Sequence, residues 1–231
     1  MTRNDIRAEL TALAEPAYRD FARRLIPEET NLLGVRLPAL RKLARRLIRE
    51  DNGAALLADP PETATFEETL LWGMVLGAAA LPLDTRLQKL AVFVPCITNW
   101  SLCDSFVASL RFSEAELPAL RRFLVPYLTS RSAFEARFGA VMLLRFFVTE
   151  KALPDTVAAL CRLPSDAYAA RMGAAWALCE CVLRFPDAAP ALMERNPPAP
   201  AVRRMTLNKL LESRRLPERL RPVLRARRAE L

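Results

Sequence analysis

The chain has 231 residues, with 34 Lys or Arg against 26 Asp or Glu, a formal net charge of +8, and no histidine. At 52% hydrophobic residues it can bury a full core without disulfides or metal, which excludes a disordered chain. The missing imidazole excludes His-based triads, His-ligated zinc and histidine general bases, leaving carboxylates, Cys, Lys, Tyr or bound water for any chemistry.

Apolar residues recur at helical spacing nearly throughout, and no stretch alternates with period two between Asn-Gly or Asp-Gly turns, so an all-α chain is expected. Prolines and cap residues divide it into helices at 3–14, 17–26, 38–50, 52–58, 65–80, 84–94, 99–110, 114–129, 133–148, 154–163, 166–185, 188–194, 200–213 and 217–229. The Pro197-Pro198-Ala199-Pro200 run is too short for a linker, and a single domain spanning 1–231 is expected. Pairs of such helices recurring roughly every 35 to 45 residues suggest an α-solenoid of HEAT-like antiparallel pairs; a globular bundle would show the same local pattern.

The N-terminal Met1-Thr-Arg-Asn-Asp5 stretch opens without the apolar run of a signal peptide, and charged residues interrupt every apolar run before it reaches membrane-spanning length. The five cysteines, Cys96, Cys103, Cys161, Cys179 and Cys181, sit among Leu, Val and Ala with no CxxC pair. They are expected to be small core residues in a reducing compartment, so a cytoplasmic protein without a metal site is anticipated. The six glycines fit neither a Walker nor a dinucleotide pattern, and Gly73 and Gly77 are expected to let helices pack closely.

The positive charge is clustered. Residues 31–49 carry six basic residues and no acid, 121–147 five against one, and 201–231 ten against three. Brought together, these segments would form a basic face suited to a phosphate backbone; left apart, they are solvated helix faces.

One stretch stands out chemically, Pro95-Cys-Ile-Thr-Asn-Trp-Ser-Leu-Cys-Asp104. Trp100 and Asp104 stand four apart and share a helix face. Asn99 reads as an N-cap, with Trp100 closing the core edge and Asp104 a solvated acid in an early turn. The same pair also suits a carboxylate beside an aromatic wall, able to favour an oxocarbenium-like sugar and direct a water to it. Arg137, in Phe134-Glu-Ala-Arg-Phe-Gly139, and Trp176, in an alanine-rich helix, read alone as a snorkelling Arg and a space-filling Trp.

Taken together, 18–27 (YRDFARRLIP), 34–42 (GVRLPALRK), 99–104 (NWSLCD), 134–144, 174–178 (AAWAL) and Asn208-Lys209 with Glu212-Ser213 resemble the DNA alkylation repair family of HEAT-like-repeat DNA glycosylases. The resemblance implies a solenoid holding double-stranded DNA in a concave basic groove. It implies hydrolysis of the N-glycosidic bond of cationic N3- or N7-alkylated purines without base flipping, by a monomer that needs no cofactor. It makes Asp104 the catalytic carboxylate, Trp100 and Trp176 the lesion-facing indoles and Arg137 the arginine of the DNA cleft. The expected backbone contacts are Arg41, Lys42, Arg45, Arg203, Arg204 and Lys209. Members of the family have Trp-Trp-Asp-x-x-Asp where this chain has Asn99-Trp100-Ser101-Leu102-Cys103-Asp104, which suggests a divergent branch. A non-catalytic HEAT-type module that binds DNA or structured nucleic acid is the alternative, and a protein-binding solenoid with an apolar or acidic concave face a third.

Overall fold

A computed structural model describes residues 2–61, 64–164 and 166–230. The described chain is 73% helix and contains no strand. All fourteen expected helices form among the described residues, twelve of them with ends within two residues of those expected. The expected helices at 114–129 and 217–229 each open instead with a 3₁₀ turn, Glu114–Glu116 and Glu218–Leu220. Pro118 and Pro222 each stand second in the α-helical part that follows, where the missing N–H costs nothing. No helix among the described residues is long and apolar enough to cross a membrane.

The contacts divide the chain into two compact units, Met1–Glu116 and Leu117–Leu231. The first holds α1 (Arg3–Ala12), α2 (Pro16–Leu25), α3 (Leu37–Arg49), α4 (Gly53–Ala58), α5 (Phe66–Ala78), α6 (Leu83–Phe93) and α7 (Trp100–Ser109). Here α3, α5 and α7 form one row, while α1, α4 and α6 meet the central α5. Helix α5 is buried from Phe66 to Gly77 and apolar on every side from Leu70 onward, the signature of a core helix rather than an amphipathic surface one. Trp72 stacks on Phe93 at 5.4 Å, and Phe93 meets Phe106 at 4.1 Å. This cluster needs Gly73, because a Cβ there would come within 2.8 Å of both Phe rings.

Two acids in the first turn of α5 are buried; the Thr65-x-x-Glu68 spacing marks Glu68 as a capping residue, and nothing local marks Glu67. Thr65 and Glu68 form a capping box, and Glu68 also takes a two-pronged hydrogen bond from Arg7, at 3.0 and 2.8 Å. Glu67 is 1% exposed and accepts the backbone N–H groups of Leu33, Gly34 and Val35. A buried carboxylate must be satisfied in this way, and the outcome is a fixed path for the α2–α3 loop. Gly34 turns there with φ +96°, and a Cβ would strike Arg19 and the Glu15 carbonyl at 2.6 and 2.7 Å.

The second unit holds α8 (Leu117–Thr129), α9 (Ala133–Phe146), α10 (Leu153–Arg162), α11 (Tyr168–Arg184), α12 (Ala188–Arg195), α13 (Pro200–Glu212) and α14 (Arg221–Ala229). Helices α9, α11 and α13 pack successively, α10 packs on α12, and α14 covers α13. Packing of every second helix on the next is the order of an α-solenoid. Cys103, Cys179 and Cys181 are buried as expected, whereas Cys96 and Cys161 are partly exposed. Burial pushes the thiols of Cys161 and Cys179 up to about 11 and that of Cys181 to about 12, so these three stay protonated and unreactive near neutral pH.

Candidate active site

Helix α7 begins at an extended Asn99 whose side-chain oxygen accepts the Leu102 N–H at 2.9 Å. The expectation that Asn99 is the N-cap is therefore borne out. Asn99 is fully buried, so its amide donors need partners inside the protein. They find the Glu29 carboxylate at 3.2 Å and the Thr98 hydroxyl at 3.3 Å, and that hydroxyl donates to the same Glu29 oxygen at 3.0 Å. Glu29 lies in the α2–α3 loop, seventy residues away in sequence. No local pattern signals such a contact.

Trp100 is the first residue of α7. Its indole N–H donates to the Leu25 carbonyl at 3.2 Å, one of the carbonyls left without an intrahelical partner at the end of α2. The ring is 41% exposed. The expectation that Trp100 closes the core edge is thus corrected: the indole is pinned by its nitrogen and much of the ring faces solvent, while Trp72 takes the core position. A cavity of about 50 Å³ lies beside it, bordered by Tyr18, Leu25, Ile26, Phe66 and Ser101. Asp104, partly exposed, follows one turn later on the same face.

In the second unit Arg137 of α9 is 5% exposed and donates to the Ala169 carbonyl at 3.2 Å. It does not snorkel. Gly173 of α11 makes room for it, since a Cβ there would lie 3.1 Å from the Arg137 Cγ. Trp176 stands three residues after Gly173, so the partly exposed indole shares the α11 face that meets Arg137.

The basic residues differ in how far the protein's own acids hold them. Arg36 pairs with Glu15, and Arg46 with Glu9 and Glu50. By contrast Arg41, Lys42 and Arg45 on α3 are exposed and make no ion pair among the described residues. In the C-terminal segment Arg215, Arg219, Arg221 and Arg227 pair with Glu180, Asp187, Glu218 and Glu194, and Arg228 donates to Asn208. Much of that segment's charge is therefore neutralised locally, which the residue count did not reveal. On α13, Arg204 is exposed, and Arg203 and Lys209 are partly so.

The sequence model of the DNA alkylation repair enzyme family matches residues 6–210. The chain belongs to that family. Its membership assigns a role in DNA repair and DNA as the partner. The match reaches from α1 to α13 and includes every site residue named from the sequence. No curated protein matches the chain. No solved structure matches it either.

Proposed function

We propose that this DNA alkylation repair protein hydrolyses the N-glycosidic bond of cationic N3- or N7-alkylated purines in duplex DNA, without flipping the base. One observation carries it beyond the family: an indole and a carboxylate, Trp100 and Asp104, share one face of α7, the ring 41% exposed and anchored through its nitrogen. A cationic alkylpurine is already activated as a leaving group. The C1′–N bond breaks with its electron pair going to the base, which departs neutral, so no general acid is required. Positive charge moves onto the deoxyribose, where the Asp104 carboxylate stabilises it and orients the water that attacks C1′. The Trp100 face adds a cation–π contact to the sugar, and the water's proton is lost to solvent.

In the roles the resemblance gives them, Trp176 faces the deoxyribose and Arg137 belongs to the DNA cleft, where at 5% exposure and bonded to the Ala169 carbonyl it supports the cleft wall from within. Arg41, Lys42 and Arg45 of α3, with Arg203, Arg204 and Lys209 of α13, neutralise phosphates. The chain acts as a single HEAT-like-repeat domain spanning 1–231, as a cytoplasmic monomer without a cofactor. Release of alkylated bases from methylated duplex by wild type and by Asp104→Asn tests the proposal. Release by wild type, strongly reduced in the variant, is expected. Wild-type protein that binds the duplex and releases no base would make it a DNA-binding module instead.

A further inference from the structure

Three observations around Glu29 converge on the start of α7. Its carboxylate accepts two hydrogen bonds there, from the Thr98 hydroxyl and the Asn99 amide, through one oxygen. The loop carrying it is itself fixed from α5: Glu67 holds the backbone at Leu33, Gly34 and Val35, and the Asn31 carbonyl accepts the Phe66 N–H at 3.1 Å. The segment joining α2 to this loop also supplies the carbonyl that receives the Trp100 indole, at Leu25, four residues before Glu29. Asn99 connects these contacts to the helix, because the side chain held by Glu29 is the one that caps Leu102. Charge-assisted bonds of this kind fix geometry more firmly than neutral ones.

We propose that Glu29 is a positioning residue that sets Trp100, and through the first turns of α7 also Asp104, in the geometry needed for base release; this rests on the function proposed above. Without the carboxylate, Thr98 and the buried Asn99 amide are deprived of their common acceptor. The N-cap rotates toward another partner, and the indole and carboxylate shift with it. Displacing reacting groups by about 1 Å costs about 10²-fold in rate, while binding to the phosphate backbone does not depend on this contact.

The test compares wild type, Glu29→Ala and Glu29→Gln for single-turnover base release from methylated duplex at saturating protein, duplex affinity, thermal melting and acrylamide quenching of tryptophan emission. Glu29→Ala is expected to slow release by about 10²-fold with duplex affinity within about twofold of wild type. Glu29→Gln keeps an acceptor oxygen and is expected to recover release to within about tenfold of wild type. Quenching should rise in Glu29→Ala, and the rise should vanish in a Trp100→Phe background. Unchanged release and quenching in Glu29→Ala would overturn the proposal. So would a loss of release that follows the melting temperature with Gln no better than Ala. If wild type releases no base, the glycosylase function fails by itself. Quenching then decides alone: a Trp100-dependent rise upholds the positioning role, and no change overturns it.

Discussion

Gly77 of α5 and Ser109 of α7 touch with no room for a side chain between them: a Cβ on Gly77 would lie 2.3 Å from the Ser109 hydroxyl and 2.9 Å from its carbonyl carbon. The helix that carries Trp100 and Asp104 is thereby seated directly on the buried α5.

Gly77→Ala is therefore expected to destabilise the protein. In an unobstructed helix the exchange would gain up to about 1 kcal/mol. Here it forces two backbones apart, and overpacking of this kind costs about 1–3 kcal/mol. Urea unfolding monitored by circular dichroism gives the sign, and a midpoint at or above that of wild type would refute the close approach.

Asp104→Asn keeps the shape and hydrogen-bonding capacity of the side chain and removes its charge. Base release from methylated duplex is expected to fall by about 10²-fold or more, as when a preorganised electrostatic interaction is removed, with duplex affinity little changed. Trp100→Ala should slow release too. Because Trp100 is 41% exposed while Trp72 is 1% exposed, Trp100→Ala should cost far less stability than Trp72→Ala, for which about 3–5 kcal/mol is expected. Excision of uracil, a neutral leaving group, should be negligible.

If the α3 cations neutralise phosphates as proposed, duplex binding is salt-dependent. Replacing Arg41, Lys42 and Arg45 together by Ala should weaken binding to all duplex sequences alike. The slope of log affinity against log salt should fall by about 0.9 for each phosphate that is no longer neutralised. Fluorescence anisotropy across a salt series checks both, and an unchanged slope would remove α3 from the interface.

Acid sensitivity should be traceable to Glu68. Burial pushes its pKa up, but the hydrogen bonds from Arg7 and Thr65 outweigh this and hold it below the ordinary value of 4.5. A carboxyl depressed in the folded state contributes stability that is complete above its unfolded pKa and is lost as pH falls through the folded value. Glu68→Gln should therefore lower stability at pH 7 by about 1–3 kcal/mol and flatten its decline below about pH 4.5. Asp5, Glu15 and Glu116 are lowered as well, so part of the decline remains. Urea titrations at pH 7, 5, 4 and 3 measure it.

Sequence alone determined the helices, because their signals are local. Apolar residues at 3.6-residue spacing, prolines in first turns and Asn99 before an apolar run each act within a few residues of themselves, and the helix ends followed to within two positions except at the starts of α8 and α14, where 3₁₀ turns intervene. It also placed Trp100 and Asp104 on one face, since that depends only on helical pitch. Tertiary structure decided what depends on distant partners. Only the fold shows that Glu29 holds Asn99, that Glu67 fixes the loop at Gly34, and that the Leu25 carbonyl leaves Trp100 outside the core. Charge followed the same division. The count of arginines is a sequence property, but which remain available for phosphates depends on which meet an acid from another helix, as Arg46 does with Glu9 and Arg41 does not. Burial and ion pairing are set by through-space neighbours, and a one-dimensional pattern carries no record of them.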